Sequence, residues 1–172
     1  MIARNRIWEE MKQAKANVSC LLRYTDIMRR WNRWYDFFIA ISASIGALGS
    51  IYSTLVPIIT SIVVAFVSIV KSLIPKLLQT ETELFELDKL SDFYNDYLNS
   101  LEYLWYNYFN EFVNEEDTMK QFFELKEKEC PKMSAYNRGV RFISKKMQDK
   151  IDKESKEYIN RVYFTKEESK AQ

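Results

Sequence analysis

The sequence predicts an all-α membrane protein, in which a two-span transmembrane helical hairpin is joined to a cytoplasmic helical bundle formed by N- and C-terminal helices. Three observations lead to this fold class. The 172 residues include only three glycines and three prolines, too few for a turn-rich β sandwich or barrel. No charged residue occurs from position 37 to position 70. On both sides of that run, apolar residues recur every three or four positions, as in helices.

Composition excludes several functional classes. The chain has 25 basic and 24 acidic residues, and this balance argues against a nucleic-acid-binding protein. It has no histidine, and its two cysteines, Cys20 and Cys130, are too few for a disulfide framework and too far apart in sequence for a metal-binding pair. No glycine-rich phosphate loop is present, and no serine has a histidine to activate it. We therefore expect no enzyme activity, no cofactor and no metal site.

Residues 1–33 form the first predicted part, an amphipathic cytoplasmic helix that runs into the membrane. Its apolar positions follow helical spacing, with charged residues between them. We expect this stripe to pack against the C-terminal helices rather than on the membrane surface. The stripe consists of Ile7, Met11, Ala14, Val18, Leu21, Leu22, Thr25 and Met28.

Residues 34–78 form the predicted hairpin. A straight helix of 34 uncharged residues would be about 50 Å long, well beyond a bilayer core of about 30 Å. The stretch from Gly49 to Pro57 is locally polar and ends in a helix breaker, which favours spans at about 34–52 and 55–75 with a short turn between them. The alternative is a buried hairpin in a soluble bundle, but a domain of this size rarely hides so long an uncharged run.

The charges at the two ends of the hairpin predict its orientation. Basic residues precede the first span and follow the second, and the turn has no charge, so both termini are expected in the cytoplasm. Trp31, Trp34 and Tyr35 occupy the position of an interfacial aromatic belt. The basic residues are Arg23, Arg29, Arg30, Arg33, Lys71 and Lys76.

Each predicted span has one face of small residues. The faces serve either packing within the hairpin or packing between subunits, where their hydroxyl groups would line a weakly selective pore. The first face consists of Ser42, Gly46, Gly49 and Ser53, and the second of Ser61, Ala65, Ser68 and Ser72.

Residues 79–172 form the predicted C-terminal cytoplasmic region. Its periodicity predicts one helix of about 35–45 residues, a break at Glu129–Pro131, and a second helix over Ala135–Val162. Nine of the twenty residues from Phe93 to Phe112 are aromatic. The main stripe is either shared core, an oligomer interface or a pocket that stacks on a base. It consists of Tyr94, Tyr97, Leu101, Leu104, Trp105, Tyr108 and Phe112, whereas Tyr103, Tyr106 and Phe109 lie off it and need another partner.

Charge divides this region in two. Residues 81–129 hold 14 acidic and 4 basic side chains, and residues 130–172 hold 11 basic and 6 acidic ones. This asymmetry favours an antiparallel helix pair with complementary faces. An alternative role for some of the basic residues is contact with an anion or an anionic lipid. The residues concerned are Arg138, Arg141, Lys145 and Lys146.

The order of these parts resembles a known family. A helix with Ile7-Trp8-Glu9-Glu10-Met11 and Leu22-Arg23-Tyr24 is followed by Arg30-Trp31-Asn32-Arg33-Trp34, a tight hairpin and a longer helical tail. This arrangement resembles the SLATT-type two-transmembrane effectors of bacterial antiphage defence. The resemblance implies a homo-oligomer in the bacterial inner membrane, which opens a pore after an upstream signal and stops growth of the infected cell. That signal would be a regulatory partner or a nucleotide from a neighbouring defence enzyme, and no catalytic residue is implied.

Two other functional classes remain open at this point. One is a holin-like lysis protein, although holins usually have short tails. The other is a membrane-anchored scaffold that recruits a soluble partner and conducts nothing. Gene neighbourhood separates the first from an antiphage effector, and ion flux separates the second.

Overall fold

Every secondary-structure element that the computed structural model describes is a helix, so the all-α class is confirmed. The structure describes residues 2–49, 61–63, 65–66, 69 and 79–163, and only the backbone at positions 2 and 42–49. Helix α1 comprises Ile2–Gly49, α2 Glu81–Phe109, α3 Glu115–Gly139 and α4 Lys145–Tyr163. The described residues between 61 and 69 are also helical.

The chain divides into two compact units. Unit 1 comprises Met1–Tyr24 and Phe85–Gln172, and unit 2 comprises Thr25–Leu84. Unit 1 therefore contains the first part of α1, nearly all of α2, and helices α3 and α4. Unit 2 contains the second part of α1 and the beginning of α2.

The core of unit 1 is built from the periodic stripes of its helices. The predicted stripe of α1 is buried at Ile7, Met11, Ala14, Val18 and Leu21, while Leu22 is 55% exposed. Since i, i+3 and i+4 positions share one helical face, the 3–4 spacing is enough to place these side chains together. They share the core with buried apolar residues of the later helices, among them Leu87, Leu90, Leu98, Phe122, Ile151 and Ile159.

The prediction of one helix of about 35–45 residues is wrong, because α2 ends at Phe109 and a separate helix, α3, begins at Glu115. Helix α2 ends at Phe109 with two reverse hydrogen bonds, from Phe112 N to Asn107 O (2.9 Å) and from Glu111 N to Tyr108 O (3.2 Å). Glu111 has a φ of 58° in the left-handed region. Together these features form a Schellman motif, which glycine usually closes, so the sequence gives no obvious stop signal here.

Helix α3 starts on a capping residue that the periodicity argument overlooked. Asn114 has an extended backbone, and its side-chain oxygen accepts a 2.8 Å hydrogen bond from Asp117 N. The first turn is also acidic, which favours the positive end of the helix dipole.

The break predicted at Glu129–Pro131 is also wrong, because α3 continues through Pro131 to Gly139. Proline removes one helical hydrogen bond, yet Tyr94 of α2 contacts α3 on both sides of it. The Tyr94 hydroxyl donates to Glu129 Oε1 at 3.0 Å, and its ring lies edge-on to Tyr136 at 6.2 Å. These tertiary contacts stabilise the helix across the proline.

The second predicted helix is divided at residues 140–144. Helix α3 ends at Gly139 with Val140 as its C-cap, and α4 begins at Lys145. Ser144 starts α4, since its hydroxyl accepts a 3.2 Å hydrogen bond from Met147 N. Three apolar positions assigned to that helix therefore lie in the connection, namely Val140, Phe142 and Ile143.

Candidate membrane-interface site

Helix α1 has two different faces in unit 2. On one face, the Asn32 side-chain amide donates to Gln79 O at 3.1 Å and to Glu81 Oε1 at 3.3 Å. Arg29 Nε lies 3.8 Å from Glu81 Oε2. These contacts join α1 to the start of α2, and we call this side the attachment face.

The residues at the start of α2 form a capping box. Thr80 Oγ1 accepts from Glu83 N at 3.2 Å, and Glu83 Oε2 accepts from Thr80 N at 2.8 Å. Both otherwise unpaired backbone donors are satisfied, which fixes the point where α2 begins. The capping box therefore fixes the backbone that carries Gln79 O and the Glu81 carboxylate, the two groups that bind the attachment face.

The opposite side of α1 exposes a set of large apolar side chains, which we call the aromatic face. At 100° per residue, these positions cluster on the side of the helix turned away from Arg29 and Asn32. Their exposed fractions range from 39% to 69%, which is unusual for six large apolar residues on one helix face. The aromatic face consists of Ile27, Trp31, Trp34, Phe37, Phe38 and Ile41.

Two arginines border the aromatic face and form a shallow cleft with it. The cleft has a volume of about 340 Å³ and is lined by Arg30, Arg33, Trp34 and Phe37. The two rings pack edge to face with centroids 5.9 Å apart. Positions 30, 33, 34 and 37 follow the spacing of a single helix face, so the guanidinium groups and the rings lie side by side.

Several predicted membrane residues lie at the edge of what the structure describes. The backbone at Ser42, Gly46 and Gly49 is helical, and Ser61 and Ala65 are helical and exposed. The others, Ser53, Ser68 and Ser72, lie outside the described residues, as do the predicted turn and most of the second span. Among the residues that are described, no helix combines enough length and apolar character to cross a bilayer.

A partly buried polar cluster in unit 1 was missed by the sequence argument. Lys126 Nζ lies 3.0 Å from Glu10 Oε1 and 3.3 Å from Glu129 Oε2. The Tyr94 hydroxyl donates to Glu129, and the Tyr97 hydroxyl donates to Glu10 at 3.2 Å. These five side chains, the Glu10–Glu129 cluster, connect α1, α2 and α3. The only local signal was the i, i+3 pairing of Lys126 with Glu129.

The cluster holds one cation between two carboxylates. The Glu129 side chain is only 3% exposed, and its two oxygens are paired with Lys126 and with the Tyr94 hydroxyl, as buried polar groups require. Burial lowers the pKa of Lys126, but contacts with Glu10 and Glu129 outweigh this and raise it above 10.5. Burial, and then the nearby carboxylates, raise the pKa values of Tyr94 and Tyr97 above 10.0. Both tyrosines are therefore neutral hydrogen-bond donors that position the carboxylates.

The two cysteines have different surroundings. Cys20 is buried, and Cys130 is exposed on α3. Burial raises the pKa of the Cys20 thiol, and a hydrogen bond with Tyr136 partly opposes this effect. Cys20 is therefore a structural residue of the core.

The predicted aromatic stripe separates into core and surface. Tyr94, Tyr97, Leu101, Leu104 and Trp105 are all buried in unit 1. Trp105 also packs against Trp8, with ring centroids 5.3 Å apart. The last two members differ, because Tyr108 is half-buried and Phe112 is 68% exposed.

The aromatic residues off the main stripe are exposed. Tyr103, Tyr106 and Phe109 lie on the surface of α2, each at least half exposed. Tyr103 lines a groove of about 420 Å³ between α2 and α3, and Phe112 lines a second groove of about 380 Å³. The side chains of Gln121 and Glu124 border both grooves.

The structure places all four predicted anion-binding residues on the surface. Arg138 lies in the last turn of α3, Arg141 lies in the connection, and Lys145 and Lys146 begin α4. In the part of the chain that the structure describes, Lys126 pairs with Glu10 and Arg23 pairs with Glu154, and both ion pairs join α1 to later helices of unit 1.

Within the described ranges, no group of three histidine, cysteine, aspartate or glutamate side chains is placed to hold a metal ion. Comparison with known proteins finds no matching family model, no matching curated protein and no matching solved structure.

Proposed function

We propose that the chain is a membrane effector of bacterial antiphage defence, which oligomerises and permeabilises the inner membrane to cause growth arrest or cell death. The main support is the aromatic face of α1. It reaches into the start of a run of 34 uncharged residues, and arginines border it.

The aromatic face supports the membrane part of this proposal energetically. Six large apolar side chains remain about half exposed. Covering them would contribute roughly 5–10 kcal/mol at the usual 1.5–3 kcal/mol for each fully buried side chain. In the proposed topology, a hairpin with spans at 34–52 and 55–75 has both termini in the cytoplasm. The aromatic face then lies at the cytoplasmic interface, where tryptophan is favoured.

The oligomeric part rests on the small residues of the two spans. In lipid, helices associate mainly by close van der Waals packing, which small side chains permit. The faces that begin at Ser42 and Ser61 repeat the same offsets of 0, 4, 7 and 11. In the proposal, hairpins of several subunits pack through these faces and line a pore with hydroxyl groups.

The defence role rests on the resemblance to SLATT-type effectors. In such an effector, unit 1 is the part that receives an upstream signal from a partner protein or a nucleotide. The Glu10–Glu129 cluster suits this role, because a fully paired polar cluster favours one packing arrangement of α1, α2 and α3.

A scaffold without conduction is the second candidate function. It is favoured by the exposed aromatic residues of unit 1 and the grooves beside them, which suit a protein partner. The two functions differ in one measurable property, the passage of ions through the membrane.

The experiment is to measure membrane potential and dye entry in bacteria after induced expression, with and without the neighbouring genes and phage. We expect rapid depolarisation with the wild type. Gly46→Leu should abolish it, because a bulky side chain blocks close helix approach. Ile45→Leu, one residue away, is the matched control and should behave like the wild type.

The outcomes separate the two functions. Depolarisation by the wild type and the control, but not by Gly46→Leu, supports a packed pore. An intact membrane in the presence of the neighbouring genes and phage refutes the pore and favours the scaffold. Full toxicity of Gly46→Leu would refute the role of the small-residue faces.

A further inference from the structure

The cleft formed by Arg30, Arg33, Trp34 and Phe37 combines two kinds of chemistry within one helix face. Guanidinium groups bind phosphate oxygens through paired hydrogen bonds. Indole and phenyl rings prefer the boundary between headgroups and acyl chains. In this cleft, of about 340 Å³, the two kinds of group line the same space.

The arginines around the cleft differ in their partners. Arg29 is engaged by Glu81 on the attachment face, so it does not contribute to the cleft. Arg30 lies 3.2 Å from Asp26, in a pair whose side chains are both more than 60% exposed. Such exposed pairs contribute little and exchange readily. Among the described residues Arg33 forms no ion pair, so the cleft has net positive charge.

Geometry allows both guanidinium groups to bind one phosphate. Positions 30 and 33 are neighbours on a helix, with Cβ atoms about 5–6 Å apart. A phosphodiester between them has its non-bridging oxygens close to both side chains. The edge-to-face Trp34–Phe37 pair supplies an adjoining apolar wall for the carbon atoms attached to the phosphate.

We propose that Arg30, Arg33, Trp34 and Phe37 form a binding site for the headgroup of an anionic phospholipid. This inference rests on the proposed membrane location of the chain. The apolar wall favours a lipid over free phosphate, because inorganic phosphate has no carbon atoms to contact the rings. The position beside the uncharged run favours a lipid over a soluble phosphorylated ligand.

The test uses the full-length chain with vesicles of phosphatidylcholine alone and of phosphatidylcholine mixed with phosphatidylglycerol. Flotation measures membrane association. Quenching of tryptophan fluorescence by each spin-labelled lipid measures headgroup preference, and the signal of Trp34 is obtained by comparison with Trp34→Phe. Inorganic phosphate is added as a competitor.

We expect phosphatidylglycerol to quench Trp34 more strongly than phosphatidylcholine, with a preference of at least fivefold. The double variant Arg30→Gln/Arg33→Gln should lose most of it, since each basic residue near an anionic surface contributes about a fivefold effect. The matched control, Lys120→Gln/Lys128→Gln, removes two exposed charges from unit 1 and should keep the preference. Inorganic phosphate should not compete at concentrations similar to that of the lipid.

The failures of the two proposals can be distinguished. If the chain floats with both kinds of vesicle and shows no headgroup preference, the lipid site is refuted and the membrane location stands. If it floats with neither, both are refuted. Loss of preference in the Lys120/Lys128 control, competition by inorganic phosphate, or dissociation of an oligomer by the arginine variant without a change in quenching would each overturn the assignment.

Discussion

Replacing Lys126 with methionine tests the Glu10–Glu129 cluster most directly. Methionine keeps the length of the side chain and removes its charge, leaving two carboxylates without their shared cation. Breaking a fully buried ion pair costs 3–5 kcal/mol, and an exposed pair contributes about 0.2–1 kcal/mol. The Lys126 side chain is 35% exposed and that of Glu129 only 3%. We therefore expect Lys126→Met to lower the free energy of unfolding by about 2–3 kcal/mol.

The sharper test is whether a second substitution, Glu129→Gln, raises or lowers the free energy of unfolding. In the wild type, Glu129→Gln should destabilise unit 1 by about 1 kcal/mol, since it weakens the bond to Lys126 but keeps an acceptor for the Tyr94 hydroxyl. In the Lys126→Met background, the same change removes a buried carboxylate that has lost its counter-charge. It should then stabilise the protein by about 1–2 kcal/mol, which gives a coupling energy of about 2–3 kcal/mol.

The assay is urea unfolding of the purified chain, followed by tryptophan fluorescence, because Trp8 and Trp105 pack together in unit 1. Lys128→Met is the matched control, as Lys128 is exposed on the same helix, and it should change stability by less than about 0.5 kcal/mol. Equal destabilisation by Glu129→Gln in both backgrounds would show that Lys126 and Glu129 are not coupled, and would refute this account of the cluster.

Two further predictions concern pH and packing in unit 1. Burial raises the pKa of five tyrosines, and for four of them it does so strongly, so the folded state keeps protons that the unfolded state loses. Stability should be full below pH 10 and fall above it by about 1.4 kcal/mol per pH unit for each of the four strongly shifted tyrosines. These four residues are Tyr94, Tyr97, Tyr136 and Tyr163. In an alkaline titration, the tyrosinate absorbance of these four residues should therefore appear together with the loss of circular dichroism. If their tyrosinate absorbance appeared while the chain was still folded, the burial argument would be contradicted. Gly139→Ala should lower stability by about 1–2 kcal/mol, because the added methyl group would overlap the buried Leu87 side chain and outweigh the better helix propensity of alanine. Ser134→Ala on the exposed side of the same helix is its control, and an unchanged urea midpoint for Gly139→Ala would show that Leu87 moves aside freely.

The sequence predicted the helical class and most of the core because helical periodicity is a strong local signal. The stripe of α1 and the residues Tyr94 to Trp105 are buried at the expected spacing. The helix boundaries were harder to predict. A Schellman motif closed by Glu111 has no glycine to reveal it, and Pro131 looked like a stop although contacts with Tyr94 hold the helix together.

The candidate sites also differ in how far apart their residues are in the sequence, and this decides whether they could be predicted. Arg30, Arg33 and Trp34 are neighbours along one helix, so their shared face could be read from spacing alone. The Glu10–Glu129 cluster could not be predicted in this way, because Glu10 and Lys126 are separated by 116 positions. Only the packing of α1 against α3 brings these two charges together.

The contrasting exposure of the two cysteines makes the chain convenient for spectroscopy. A maleimide dye should react with Cys130, which faces solvent, and should spare Cys20, which is enclosed in the core. The label would then sit next to Glu129, inside the helix that contributes Lys126 to the cluster. Without any engineered residue, fluorescence from this position would report any change in the packing of unit 1.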